Sequence, residues 1–172
     1  MKTSAGSPTT AARTAGRHVD FWREYLKTLE FKRMFSVARD FSFSYGHRLY
    51  RYEGKCRRLH GHNAEVRVEI LVDSLNEQGM ALDFVDLKAI VGTWIDETLD
   101  HRVFLAKDDP LAETLVAAGE PVFLFDENPT AERLAKMIYE YVEAQGFVVG
   151  QVEFWETKNC RATYRKSASM GK

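Results

Sequence analysis

Cysteine is scarce in this chain: only Cys56 and Cys160 occur among 172 residues. Two thiols do not make a disulfide framework, so reduced thiols and a cytoplasmic setting are expected. No run of about 18 apolar residues occurs, so no membrane span and no membrane partner are expected. The N-terminus has no apolar signal core, so secretion is not indicated. An excess of charge of one sign is also lacking. The 24 Lys and Arg residues against 25 Asp and Glu leave a net charge of −1 at pH 7, unlike the basic footprint of a nucleic-acid binder. No internal sequence repeat is seen. The length fits one domain with short additions.

Histidine is not abundant either, with five in all. Yet His47, His60 and His62 stand within sixteen residues, and Cys56 lies between them. Imidazole is the commonest metal ligand. Three neutral imidazoles without a carboxylate leave Zn²⁺ one open position, as in catalytic zinc sites. A nitrogen-only tetrahedral set favours zinc among divalent ions. From Phe35 the apolar residues alternate through Val37, Phe41, Phe43 and Tyr45, with Arg39 the exception, and His47 is in phase with them. A second strand from about His60 to Val72 carries His60 and His62 on the same face as Ala64, Val66, Val68 and Ile70. Side chains two apart on a strand point the same way. If the two strands pair, all three histidines meet.

Residues 1–17 read as a disordered tail, poor in large apolar residues. Residues 19–33 read as a short helical extension with Phe21, Tyr25, Leu26 and Leu29 on one side. The folded domain is expected over 34–166, and 167–172 as a tail. Asp83 is placed to cap a helix whose stripe is Leu87, Ile90, Val91, Trp94, Ile95 and Leu99. Asp83 and Asp86 read as helix-start carboxylates, and Trp94 as core. The connection that follows, broken by Pro110, Gly119 and Pro121, holds a short helix near Leu111–Ala118 and an apolar run, Val122–Phe125. Asn128-Pro129 starts another helix, with Pro at its first position, a stripe of Leu134, Ala135, Ile138 and Val142, and a stop at Gly146. A strand over 147–157 places Val148, Val152, Phe154 and Glu156 in phase, and Arg161–Arg165 completes a hairpin. The order ββααββ reads as α+β, two helices covering one face of an antiparallel sheet.

Two roles stay open for Cys56: a fourth ligand closing a Cys-His₃ zinc site, or a free thiol that acts as a base once ionised. Asp100-His101, after the first helix, is a candidate proton relay for such a base. On its own such a dipeptide is usually a surface feature. Glu156 sits on an apolar phase, and a buried carboxylate needs a partner. That partner is either an ion pair with Arg161 or a ligand offering a fork of N–H groups, as guanine-like and pterin rings do. Arg48, Lys55, Arg57 and Arg58 are candidate contacts for an anionic substrate. Cys160 reads as a small buried residue, close in sequence to Glu156.

Six segments in order resemble the family of 6-pyruvoyl- and 6-carboxy-tetrahydropterin synthases. They are Phe43-Ser-Tyr-Gly-His47-Arg-Leu49, Gly54-Lys-Cys56-Arg-Arg-Leu-His60-Gly-His62-Asn63, Leu82-Asp-Phe-Val-Asp-Leu-Lys88, Leu99-Asp-His101, Asn128-Pro-Thr-Ala-Glu132 and Glu156-Thr157. The resemblance spans about residues 35–165. It implies the tunnelling fold, in which ββααββ units assemble into a ring-shaped barrel as trimers or stacked hexamers, with active sites between subunits. It implies His47, His60 and His62 as zinc ligands, Cys56 as base, His101 with Asp100 as its relay, and Glu156 as the pterin anchor. Thr130 and Glu132 would line the pterin pocket. The Leu-His-Gly-His form resembles the bacterial carboxy-pterin branch, which serves queuosine synthesis. The implied substrate is 7,8-dihydroneopterin triphosphate. The close alternative is the pyruvoyl product, and the rival is a non-catalytic zinc protein. The chain departs from the family pattern at Ala64, where an aromatic is common, and at Tyr45-Gly46, where a small pair is common. It departs again in its long connection between His101 and Asn128.

Overall fold

A computed structural model describes residues 34–167. The expected tail at 1–17, the expected helix at 19–33 and all of the C-terminal tail except Ser167 lie outside the described residues. The elements are β1 Phe35–His47, β2 His60–Val72 and α1, which runs as Phe84–Leu87, a π-helical Lys88–Gly92 and Thr93–Thr98. Then come β3 Arg102–Ala106, α2 Leu111–Ala117, β4 Val122–Phe125, α3 Ala131–Ala144, β5 Val149–Thr157 and β6 Cys160–Tyr164. They form one six-stranded sheet in the order β4-β3-β1-β2-β5-β6.

The alternating strands and striped helices build the core as expected. Phe43, Val66, Val68, Ile70, Val152 and Phe154 from the sheet pack against Leu87, Val91, Ile95 and Leu99 of α1 and Leu134, Ile138 and Val142 of α3. Trp94 packs at the rim of this core, stacked on Tyr141 at 4.0 Å between ring centroids. Asp83 caps α1, its side chain accepting from the Val85 N–H at 2.8 Å. Gly146, at φ +92°, ends α3 in the left-handed conformation that glycine adopts without cost. Among the described residues no helix is long and apolar enough to cross a membrane.

The α+β architecture holds, and the sheet is larger than the ββααββ order foretells. The long connection is a β3-α2-β4 unit whose two strands run parallel to each other, and β3 runs parallel to β1. The sheet is therefore mixed rather than wholly antiparallel. Phe104, Leu105 and Ala106 are all buried. A strand buried on both faces reads as a short apolar run without alternation, which periodicity cannot tell from a loop or helix fragment.

Two boundaries also differ from expectation. Pro129 precedes the α3 cap, which is Thr130, instead of occupying the first helical position. Val148 is 61% exposed, and Val149 takes the buried place. An irregularity opposite Glu69 and Ile70 inserts Gly150 into β5 and reverses the phase before it.

Candidate active site

Strand pairing assembles the histidines. His47 lies directly opposite His60, and Tyr45 opposite His62, in the antiparallel β1–β2 ladder. Gly61 makes this approach possible: a Cβ there would come within 2.9 Å of the Tyr45 carbonyl oxygen. One ring nitrogen from each histidine falls within 4.8 Å of the others. His47 is 2% exposed, and His60 and His62 are half-buried. His47 Nδ1 donates to the Pro129 carbonyl at 2.9 Å, and His60 Nδ1 donates to the Arg58 carbonyl at 2.7 Å. Those bonds fix the tautomer and leave both Nε2 lone pairs facing each other at 3.1 Å. The buried Nε2 of His62 has no hydrogen-bond partner. Lone pairs converging without a donor fit a cation. Burial lowers the His47 pKa, opposed by the Pro129 carbonyl and the Glu156 charge and reinforced by the other two histidines, so the ring stays neutral as a ligand must.

A pocket of about 320 Å³ opens beside this cluster. Its walls include His47, Cys56, Thr130, Glu132, Glu156 and Cys160. The chain thus brings together the expected base, the expected anchor and the expected pocket residues. Cys56 is half-buried and lies outside the group of converging ligand atoms. Glu156 does not pair with Arg161, whose partner is Glu153 at 3.4 Å. Its Oε1 instead accepts from the Tyr45 hydroxyl at 3.1 Å and lies 3.8 Å from His47 Nε2. Burial first, then the Glu156 charge and hydrogen bond, push the Tyr45 pKa far above its ordinary value, so the phenol stays a donor. Cys160 is exposed rather than buried, because it opens β6 after the tight turn at Lys158 and Asn159.

Asp100 and His101 stand apart from this pocket. The His101 side chain is 80% exposed. It borders a separate groove of about 430 Å³ beside Ser44, Tyr45, Gly46, Gly61, His62 and Asn63. Neither Cys56 nor Glu156 lines that groove. His101 has φ +55°, uncommon outside glycine, and its N–H donates to the Ser44 carbonyl at 2.7 Å. Asp100 accepts from the Ser44 N–H at 2.9 Å and from His101 Nδ1 at 2.7 Å. Burial pushes the Asp100 carboxyl up, but these hydrogen bonds and the His101 ring outweigh it and hold the pKa below the ordinary range. An aspartate-oriented imidazole with its Nε2 presented outward suits proton transfer to a group arriving from outside.

The family model for 6-pyruvoyl tetrahydropterin synthase matches residues 36–167. This chain belongs to the 6-pyruvoyl tetrahydropterin synthase family. The 6-carboxy-5,6,7,8-tetrahydropterin synthase of Rickettsia felis is 31% identical over 134 residues, covering 74% of this chain and 97% of that enzyme. The synthase of the same name from Synechocystis is 35% identical over 136 residues, covering 76% and 93%. The structure of Caenorhabditis elegans 6-pyruvoyl tetrahydropterin synthase superposes with a TM-score of 0.59 at 25% identity, covering 79% of this chain and 98% of that one. As a member of this family the chain is an enzyme, a lyase of pterin chemistry.

Several supports of this family member's site left no sequence signal. Asn128 accepts from the Tyr50 N–H at 2.6 Å and donates to the Tyr50 carbonyl at 2.9 Å, pinning the segment after β1 to the lead-in of α3. Arg48, a candidate anion contact, is instead committed to buried Asp109: Nε donates to Oδ2 at 2.7 Å, and the second guanidinium nitrogen pairs with Oδ1. Asp109 also accepts from the Leu111 N–H at 2.8 Å, at the start of α2. Burial pushes its carboxyl up, but the Arg48 hydrogen bonds, the Leu111 N–H and the Arg48 charge more than offset this and lower the pKa. Asp109→Ala is expected to cost on the order of 3 kcal/mol in urea unfolding, since Arg48 loses its partner. The folded pKa is depressed, so the pair's contribution is full above the unfolded value of about 3.9 and is lost as pH falls through the lower folded one. The acid limb of stability should be shallower in Asp109→Asn than in the native chain.

Proposed function

We propose that the chain is a zinc-dependent 6-carboxy-tetrahydropterin synthase. It converts 7,8-dihydroneopterin triphosphate and water to 6-carboxy-5,6,7,8-tetrahydropterin, acetaldehyde and triphosphate. The observation that carries this reading is the convergence of three histidine ring nitrogens beside the pocket that holds Cys56 and Glu156. The catalytic unit is residues 34–166, working in the cytoplasm for the synthesis of queuosine or a related deazapurine.

His47, His60 and His62 hold the ion, and zinc suits three imidazoles. When bound it supplies Lewis-acid stabilisation of the negative charge that builds on the side-chain oxygens of the substrate. Glu156 accepts the N–H fork of the pterin ring. Thr130 and Glu132 flank the ring. Cys56 removes the proton whose loss starts elimination of triphosphate. A retro-aldol cleavage then releases acetaldehyde. Asp100 and His101 ionise the thiol of a neighbouring copy, since within one chain His101 borders a different groove from the pocket that holds Cys56. Their exposure and orientation support a trimer or hexamer with the site between subunits.

Lys55, Arg57 and Arg58 border a depression of about 750 Å³ together with Cys56 and His60, a fitting place for the triphosphate. Arg48 is occupied by Asp109, and Arg51 lies 3.4 Å from Asp108. Arg57→Ala is expected to raise the KM for the triphosphate substrate about tenfold, the loss of one charge-assisted contact. Equilibrium binding of 7,8-dihydroneopterin without phosphates should be unchanged.

The deciding experiment incubates the zinc-loaded protein with 7,8-dihydroneopterin triphosphate and reads products by mass spectrometry. Acetaldehyde with the 6-carboxy product supports the proposal. The pyruvoyl product moves the chain to the reaction that names its family model. No turnover by an intact zinc-loaded oligomer leaves the non-catalytic binding protein as the reading.

A further inference from the structure

Tyr45 touches both the histidine cluster and Glu156. Its ring lies edge-on to His47, with centroids 5.1 Å apart at 71°, and 5.6 Å from His62. Its other neighbours are Phe104, stacked at 4.9 Å, and Phe43 and Phe154 at 5.7 and 5.9 Å. A ring wedged on five sides and 4% exposed has one place to stand. Its hydroxyl is directed at Glu156 Oε1.

That reach crosses a strand. Tyr45 is on β1 and Glu156 on β5, and β2 runs between them. On β2, His62 is paired with Tyr45, and the next residue on that face is Ala64, fully buried, paired with Phe43 and one step beyond the paired Glu65 and Trp155.

We infer that Tyr45 is a positioning residue that sets the plane of the Glu156 carboxylate and its separation from the histidine cluster, and so determines how tightly the pterin ring is held. The inference rests on Glu156 being the pterin anchor, as proposed above. A free carboxylate rotates about its last bond, and a fork of two N–H donors is met in parallel only when that plane is fixed. A donor anchored by five ring contacts removes that freedom before substrate arrives. The phenol touches Oε1 alone, so Oε2 and the remaining lone pairs stay available to the ring.

The test is Tyr45→Phe, which keeps the ring and its packing and deletes the hydroxyl. Zinc content and thermal midpoint are the controls. Affinity for 7,8-dihydroneopterin, followed by its fluorescence, is expected to fall about tenfold, the loss of one hydrogen bond to a charged group. In turnover the same loss should appear in KM, with kcat within about twofold, a split that general destabilisation would not produce. Combined with Glu156→Gln, Tyr45→Phe should add little, because the two act as one unit. Full additivity, or affinity equal to the native chain's, overturns the inference while leaving Glu156 as anchor. Loss of zinc or of the fold in Tyr45→Phe also overturns it, assigning the hydroxyl to stability. Failure of the native chain to bind the pterin, with zinc in place, overturns the anchor reading and this inference with it.

Discussion

Cys56→Ala is expected to bind zinc at the native stoichiometry and to lose turnover by a factor of about a thousand, within the range of an acid–base group removed from its reaction. The two roles left open by the sequence make opposite predictions here. A fourth zinc ligand would take metal and stability with it when truncated. A free base would take only the rate. The thiol's place outside the converging ring nitrogens, in the wall of the pocket that holds Glu156, favours the second outcome. Metal analysis of the purified variant beside a product assay separates the two. A variant that has lost its zinc along with its rate would return Cys56 to the ligand set. A variant that is zinc-loaded and fully active would leave the thiol without a role.

His60→Ala is expected to show the complementary pattern, with metal content and turnover lost together. His60 faces His47 across the ladder, and its Nδ1 bond to the Arg58 carbonyl aims its other nitrogen at the cluster. Two imidazoles remain after its loss, too few for a three-histidine site with one open position. The fold should persist. His60 is half-buried at the end of β2, away from the Val66–Ile70 core, so far-UV circular dichroism should stay native while zinc falls below stoichiometry. Added zinc should restore little activity at micromolar concentration. An active, fully loaded His60→Ala would sink the three-histidine assignment.

The parts of this protein that repeat along the chain were legible before any coordinates. Period-two alternation placed His47, His60 and His62 on one apolar face, and helical spacing picked out Leu87, Val91, Ile95 and Leu99 as a buried stripe. β3 escapes because a five-residue strand with a buried run Phe104–Ala106 has no alternation to show, and β4 because four apolar residues on an edge strand, with Leu124 exposed, read only as an apolar run. The supports of the site escaped for a different reason. Arg48 and Asp109 lie 61 residues apart, Tyr50 and Asn128 lie 78, and Tyr45 and Glu156 lie 111. Partners so distant leave no periodic mark, and each residue alone looks like an ordinary surface Arg, loop Asn or core Tyr. Cys160 was misplaced because residue type speaks for burial while hairpin geometry decides it. His101 is a site candidate from the sequence, and which groove it borders depends on a left-handed turn after α1 that no spacing rule encodes.

The hydrogen bond from His47 to the Pro129 carbonyl ties the histidine cluster to the entrance of α3. Free energy shared through such a link runs in both directions. Whatever an ion gains from a preset imidazole, the turn ahead of α3 gains in order when the ion arrives. Hydrogen exchange at Thr130 and the first turn of α3 is therefore expected to slow when the proposed ion binds. Loss of Asn128, which holds that turn against Tyr50, is expected to weaken binding of the proposed ion without removing a ligand.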